Sequence, residues 1–258
     1  MTKPLKFYDI PANLKDDEGP SHRAWSPNTW RVRYALNIKR IAYQTTWIDF
    51  PDIEAEMQKL GVPTTTVLAG KALYTVPTIY DPNTNRAVTD SQKIIEYIEE
   101  QYPDKLSLIP PYTRGLQAAF VDTHFQSLSM GAFLLLVPSI LSACSARGLE
   151  HFRRTREPLF GGTRLEDAEL QGESRAVAIS KFIDELGVID RAISTNGGKA
   201  MFLTGDILSN ADVNLAAVLT WVLRLGGSES DLWRGISAAH GGRWVKYMDA
   251  FEPYRSVP

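Results

Sequence analysis

Apolar and polar positions change their spacing several times before residue 102, and these changes predict an α/β unit. Runs rich in aromatic and β-branched residues, typical of strands, lie at 5–10, 43–49, 76–80 and 86–89. Apolar residues at helical spacing predict helices from Ser26 to about Ile41, at 53–60 and from Ser91 to about Tyr102. The polar segment 11–24 is predicted to be a loop, and the proline-rich segment 103–112 a linker.

After residue 112 the pattern is helical and contains no convincing strand. Helices are predicted at 114–145, 173–194, 210–225 and 244–251. Four residues form one apolar stripe on the second of these helices: Phe182, Leu186, Ile189 and Ile193. The arginine-rich segment 147–162 is predicted to be a long loop, either a solvated surface of mixed charge or an anion site. We therefore predict an α/β domain at 1–102 and an all-α domain at 113–258.

Composition and charge narrow the classes of partner. The 258 residues include 28 basic and 30 acidic side chains, a net charge of −2, so neither nucleic acid nor an anionic membrane surface is expected. The single cysteine, Cys144, excludes an internal disulfide, and the four histidines lack the spacing of a zinc site, so no metal is expected.

The longest apolar run, 130–144, contains Pro138 and is shorter than the roughly 20 residues that span a bilayer. It is therefore predicted to be a buried, kinked helix rather than a membrane span. The N-terminus shows no signal-peptide pattern, and a cytoplasmic location is expected.

Four short motifs, each weak alone, follow one another along the chain: Ser26-Pro27, Val76-Pro77, Asp90-Ser91 and Ser209-Asn210-Ala211-Asp212. Because the four motifs occur in the order and at about the spacing found in cytosolic glutathione transferases, the chain resembles that family over nearly its whole length. The resemblance implies a thioredoxin-like N-terminal domain that binds glutathione and an all-α C-terminal domain that contributes a hydrophobic substrate site. The segment 26–36, with the second and third motifs, is similar to the serine-type, etherase-related branch, which includes bacterial enzymes that cleave lignin β-aryl ethers and a class from wood-decaying fungi.

Ser26 has two interpretations. Serine followed by proline is a favoured helix start, so the hydroxyl could be an N-cap. The resemblance implies instead that Ser26 is catalytic: it donates to the sulfur of glutathione, where the helix N-terminus lowers the thiol pKa, with the N–H of Asn28 assisting. Cysteine at this place would form mixed disulfides. Cys144 lies in the apolar run and is interpreted as core.

The other two N-terminal motifs also have structural and functional interpretations. Proline is tolerated where a strand begins, but in the resembling family it is cis, and the backbone of Val76 pairs with the cysteinyl part of glutathione. Asp90 and Ser91 can simply open a helix. The resemblance implies that Ser91 and the helix N–H groups bind the γ-glutamyl carboxylate while Asp90 balances its ammonium.

Two further motifs are given no contact with a ligand. Many relatives carry Gly-Lys directly before Val-Pro, but here four residues separate Lys71 from Val76, so the contact to the glycyl carboxylate is left unassigned. The Ser209–Asp212 motif is interpreted as a capping box that serves folding.

The resemblance places the electrophile between the domains, over Ser26. Candidate residues of this hydrophobic site are aromatic or imidazole side chains: Trp25, Trp30, Phe120, His124 and Phe125. Such a stripe suits flat phenolic or aryl compounds, although it is also typical of plain core, and His124 could bind a phenol or be a core histidine.

We expect a glutathione transferase that uses glutathione as cosubstrate to attack aromatic or phenolic electrophiles, with aryl-ether cleavage or peroxide reduction as versions of the activity. The alternative is a non-catalytic ligandin that binds wood-derived polyphenols. A homodimer is expected from the resemblance.

Overall fold

The structure, a computed structural model, describes residues 2–13 and 20–258, so the middle of the predicted loop 11–24 lies outside the described residues. The strands are β1 (Leu5–Asp9), β2 (Tyr43–Trp47), β3 (Thr66–Leu68), β4 (Lys71–Leu73), β5 (Thr78–Asp81) and β6 (Arg86–Thr89). The helices are α1 (Pro20–Arg23), α2 (Pro27–Ile38), α3 (Ile53–Lys59), α4 (Ser91–Gln101), α5 (Arg114–Phe120), α6 (Gln126–Ala143), α7 (Ala146–Arg156), α8 (Gly172–Ser194), α9 (Asn210–Trp221), α10 (Asp231–Ala238) and α11 (Arg243–Phe251).

The chain divides into two compact units. The first consists of Met1–Leu106, Pro138–Ala168 and Arg255–Pro258, and the second of Ser107–Val137 and Glu169–Tyr254. This division by packing does not coincide with the predicted division into consecutive segments, 1–102 and 113–258. The reason is that α7 packs with the 3₁₀ turn Phe50–Asp52, and that the last residues of the chain pack with β2, for example through the hydrogen bond from Thr45 N to Pro258 O (3.1 Å).

The first unit is built on a four-stranded mixed sheet in the order β2-β1-β5-β6. β1 and β2 are parallel, whereas β5 pairs antiparallel with both β1 and β6. Phe7 and Ile79, which are neighbours in register, are fully buried, and the apolar face of α4 is buried as predicted. The structure adds a hairpin, β3–β4, because strands of three residues leave no periodic signal in the sequence.

The prediction of a long loop at 147–162 is wrong. Most of it is α7, followed by a 3₁₀ turn (Glu157–Phe160). Ser145 caps the helix by accepting a hydrogen bond from Gly148 N (2.9 Å), and Phe152 is buried against Phe50, with ring centroids 5.5 Å apart. The arginines on the solvent side of α7 concealed the amphipathic pattern in the sequence.

The second unit is helical, as predicted. Every residue of α9 is buried, and the Ser209–Asp212 capping box at its start is confirmed. Ser209 N and Ser209 Oγ both donate to Asp212 Oδ2, at 3.0 and 2.6 Å. The four-residue stripe of α8 is buried as predicted. α10, which the sequence analysis missed, is a short helix capped by Ser230.

One helical run is longer than the apolar segment that we considered. A turn of π-helix (Val121–Phe125) joins α5 to α6, so that helix continues from Arg114 to Ala143. By length and composition alone this run is long and apolar enough to cross a membrane, with a mean hydropathy of 1.6 in its most apolar window, of which 39% is buried. A core helix of a globular fold meets the same criteria.

Candidate active site

Two of the four sequence motifs meet at one edge of the sheet in the first unit. β1 ends there, β5 begins there and β6 ends there, since Tyr8 is in register with Thr78 and Thr78 with Thr89. The hydroxyl of Thr78 donates to that of Thr89 (2.8 Å), and both side chains are buried. The motifs Val76-Pro77 and Asp90-Ser91 therefore extend from adjacent strands at this edge.

The helix that follows the first motif, α2, is tied to the end of β1 by a buried ion pair. Arg33 of α2 donates to Asp9, the last residue of β1, at 2.8 Å, and both side chains are fully buried. Arg33 also donates to Tyr43 Oη and to Thr45 Oγ1 (3.2 and 3.1 Å). Burial raises the pKa of Asp9, and the Arg33 guanidinium opposes that shift. A buried pair of this kind fixes how α2 lies on the sheet.

Ser26 occupies the N-cap position of α2 but does not use its side chain as a cap. Its backbone is extended (φ −64°, ψ 131°), its C=O accepts from Trp30 N (3.0 Å), and its side chain makes no capping hydrogen bond among the described residues. Pro27 has no N–H, so Asn28 and Thr29 carry the free amides of the first turn. The start of α2 thus has a hydroxyl and two amides that make no capping hydrogen bond among the described residues, as an anion site at a helix N-terminus would require.

The second motif has the geometry that the resemblance implies. The Val76–Pro77 peptide bond is cis, and Val76 is buried just before β5. Within the described part of the chain, neither the N–H nor the C=O of Val76 has a hydrogen-bond partner. Both groups are therefore available to pair with an extended peptide.

In the third motif the cap is Asp90, not Ser91. Asp90 Oδ1 accepts from Gln92 N (3.0 Å) and from Lys93 N (3.1 Å) at the start of α4. Two of the amides that we expected to bind a carboxylate are therefore already satisfied within the chain. The amide and hydroxyl of Ser91 remain, together with the second oxygen of Asp90. Asp90 has a positive φ of 82°, which is rare outside glycine and typical of functional sites.

The candidate residues of the hydrophobic site differ in accessibility. In the first unit, Trp30 is fully enclosed and donates from Nε1 to Ala24 O (2.9 Å), so its side chain belongs to the core. Trp25 is 4% exposed and packs edge-on against Phe50, with ring centroids 6.4 Å apart. The Nε1 of Trp25 is buried and has no acceptor among the described residues.

The other three candidates lie in the second unit, around the π turn. Phe125 is 3% exposed and belongs to the core. Phe120 and His124 are partly exposed and adjacent, with ring centroids 5.0 Å apart. His124 Nδ1 lies 2.6 Å from Glu185 Oε1, which orients the imidazole and leaves Nε2 for another partner. π turns are frequent at functional sites. No sequence signal indicated Glu185.

The sequence analysis missed Phe50, His151 and Phe152, which lie close to Trp25 in the first unit. The Phe50 and His151 rings are stacked, 13° apart in orientation, with centroids 6.2 Å apart. These residues escaped notice because α7 was predicted to be a loop.

Cys144 is not placed for chemistry. It is buried, and burial together with the nearby carboxylate of Asp49 raises the pKa of its thiol to about 12. A thiol in that state is not a nucleophile near neutral pH. Among the described residues there is also no group of three or more His, Cys, Asp or Glu side chains arranged to hold a metal ion.

Comparison with known proteins agrees with the fold. The family model of the glutathione S-transferase N-terminal domain matches residues 25–101, and that of the C-terminal domain matches residues 115–254. The chain therefore belongs to the glutathione transferase superfamily, and the predicted fold, a thioredoxin-like domain with an all-α domain, is confirmed.

Several of the similar proteins come from fungi. The crystal structure of glutathione transferase GSTFuA3 from Phanerochaete chrysosporium is 38% identical in sequence and matches with a TM-score of 0.90 over 100% of both chains. The glutathione S-transferase CsGST63524 of Ceriporiopsis subvermispora, solved in complex with glutathione, is 36% identical, with a TM-score of 0.90 over 99% of both chains. The glutathione S-transferase-like protein ustS of Aspergillus flavus is 29% identical over 267 residues, 95% of this chain and 90% of its own.

Proposed function

We propose that this chain is a serine-type glutathione transferase that binds glutathione along the edge of the sheet and activates its thiol at Ser26. The observation that carries the proposal is the start of α2, where the Ser26 hydroxyl and the amides of Asn28 and Thr29 are not consumed by capping. A glutathione complex of a relative 36% identical supports glutathione as the ligand.

Activation of the thiol is electrostatic. A free thiol has a pKa of about 8.5, and a helix N-terminus with a donated hydrogen bond stabilises the thiolate. The thiol proton leaves to solvent, and the Ser26 hydroxyl donates to the sulfur anion. The Val76 backbone holds the cysteinyl part, and Ser91 N–H and Oγ hold the γ-glutamyl carboxylate. Asp90 Oδ2, which the cap does not use, pairs with the ammonium.

The chemical step is attack of the thiolate on an electrophilic carbon. A carbon–sulfur bond forms, and the bond to the leaving group breaks with its electron pair. We propose aromatic acceptors because Phe120 and His124 form a partly exposed aromatic pair in the second unit. For an aryl ether the leaving group is a phenolate, which takes up a proton. Peroxide reduction would use the same thiolate.

The alternative is a ligandin, a protein that binds polyphenols with negligible turnover. The partly exposed His124, whose Nε2 has no hydrogen-bond partner among the described residues, favours an aromatic ligand that carries oxygen. Such an atom is expected to find a hydrogen-bond partner when a phenol is bound.

Turnover and binding, measured on the same preparation, distinguish these functions. The enzyme predicts uptake of glutathione in calorimetry and conjugation of an activated aryl halide or cleavage of a β-aryl-ether model compound. The ligandin predicts tight binding of phenols with no turnover of either substrate. Absence of glutathione uptake would refute both the cosubstrate and the role of Ser26. Analytical ultracentrifugation tests the proposed homodimer.

A further inference from the structure

The four arginines of α7 differ in their partners. Arg147 is paired with Asp52 (2.9 Å), and Arg153 with Glu166. Among the described residues, no carboxylate lies within 4.0 Å of the guanidinium of Arg154 or of Arg156. Unpaired guanidinium groups on one helix are a positive site rather than a neutralised surface.

Arg156 is held in a defined place. Its guanidinium lies over the Phe152 ring at 4.9 Å and over the Phe50 ring at 5.9 Å. Burial lowers its pKa to about 10, so it remains protonated near neutral pH. Its only hydrogen bond to a described residue is from Nη1 to Thr155 Oγ1 (2.6 Å). Most of its five N–H donors are therefore available to a ligand, and the rings fix their direction.

The surroundings are positive as well. Arg154 Nη2 lies 3.1 Å from His151 Nδ1, and the His151 ring is stacked on Phe50. Burial, followed by the charges of Arg154, Arg156 and Lys71, lowers the pKa of His151. The acid that opposes them, Asp49, is already engaged: Oδ1 accepts from Phe50 N (2.8 Å) and Oδ2 from Ser145 Oγ (2.6 Å).

The aromatic side of this place adjoins the proposed catalytic residue. Phe50 contacts Trp25, and Trp25 precedes Ser26 in the chain. A guanidinium without an acidic partner among the described residues matches a ligand that carries a carboxylate.

We infer that Arg156, held in place by Phe50 and Phe152 and assisted by Arg154 and Lys71, binds a carboxylate of the ligand beside Ser26. The inference rests on the proposed function, because the carboxylate that Arg156 binds belongs either to the electrophile or to glutathione. An acidic aryl acceptor is then preferred to its neutral ester, or glutathione is preferred to its glycine amide.

Direct binding tests this without requiring turnover. Quenching of tryptophan fluorescence reports binding of 3,5-dinitrobenzoate and of its methyl ester to the full chain. R156Q is expected to weaken binding of the acid about tenfold or more and to leave the ester unchanged, as for loss of a charge-assisted hydrogen bond. R156K, which keeps the charge, retains most of the affinity. R147Q is the matched control, since it removes the same charge from the same helix at an arginine that is already paired with Asp52.

Turnover then identifies the source of the carboxylate. To test whether the acceptor supplies the carboxylate, the rates with 4-chloro-3,5-dinitrobenzoate and with its methyl ester are each divided by the uncatalysed rate and compared. To test whether the peptide supplies it, the rate with glutathione is compared with the rate with the glycine amide of glutathione. Loss of either preference in R156Q supports the inference. Equal effects of R156Q on acid and neutral ligands in all three comparisons, or equal effects of R147Q and R156Q, overturn it. If the acid binds through Arg156 but no substrate is turned over, the inference about Arg156 is supported and the proposed transferase activity is contradicted.

Discussion

Replacing Ser26 with alanine separates the two roles that a serine can have at a helix start. Loss of an N-cap costs about 1 kcal/mol of stability, but the Ser26 side chain makes no capping bond among the described residues. The S26A variant is therefore expected to change the free energy of unfolding by less than about 0.5 kcal/mol. Ser209→Ala is the matched control, because Ser209 belongs to a confirmed capping box and its loss is expected to cost about 1 kcal/mol.

The effect of S26A on the bound thiol is expected to be much larger. A hydrogen bond donated to an ionised partner contributes about 1.5–3 kcal/mol, and one pKa unit corresponds to about 1.4 kcal/mol. The pKa of bound glutathione should therefore rise by about 1–2 units, and the rate at acidic pH should fall about tenfold to hundredfold. At a pH above both pKa values the two rates converge.

Two measurements on the same variants check this reasoning. Thiolate absorbance of the glutathione complex, and kcat/KM for an activated aryl halide as a function of pH, both report the thiol pKa. Chemical denaturation reports stability. If S26A loses as much stability as Ser209→Ala while the thiol pKa stays unchanged, Ser26 is a cap and the proposed chemistry is wrong.

Three further predictions concern the first unit. Arg33→Met leaves Asp9 buried without its partner and is expected to lower the free energy of unfolding by about 3–5 kcal/mol in urea titrations; a loss below about 1 kcal/mol would contradict the role given to this pair. Burial by itself raises the pKa of Asp81, but hydrogen bonds from Asn83, Tyr97 and Tyr102 lower this pKa overall. The ionised carboxylate therefore stabilises the folded protein at pH values above about 3.9, the pKa of an unfolded chain. This stabilisation is lost as the pH falls through the lower pKa of the folded state. Asp81→Asn should therefore destabilise the protein near neutral pH by about 1–3 kcal/mol, with a difference from wild type that shrinks in acid; a constant difference would contradict this. Maleimide should label Cys144, whose pKa is about 12, at least about a thousandfold more slowly than free cysteine until the chain is unfolded, and rapid labelling of the native protein would show that the thiol is accessible.

Short motifs determine their own local structure, and this is why several predictions needed no tertiary information. Proline and serine at a helix start, asparagine and aspartate in a turn, and apolar residues at helical spacing act through neighbours within about four positions. The bounds of α2, α4, α8 and α9, and the capping box of α9, follow from such signals. The resemblance to glutathione transferases also depends on local motifs, and the family models confirm it.

What a side chain does at its position depended on packing between distant segments. The sequence allowed Ser26 to cap α2, and it allowed Ser91 and the N–H groups at the start of α4 to bind an anion. In the structure the Ser26 side chain makes no capping hydrogen bond among the described residues, and Asp90 accepts hydrogen bonds from two of the amides of α4. Trp30 was a candidate ligand contact, but its side chain is fully buried. It lies on α2, the helix that is tied to the end of β1 by the ion pair between Arg33 and Asp9.

The amino-acid sequence by itself therefore determined the family, the two-domain fold class and the helix start at which the thiol is proposed to bind. Only the tertiary structure decided that α7 is a helix against Phe50 and that Arg156 has no acidic partner among the described residues. The physical reason is that helix signals are local, whereas pairing of a charge and burial of a ring depend on residues that are close only after folding. Phe50 and Arg156 are an example, since more than a hundred positions separate them in the chain.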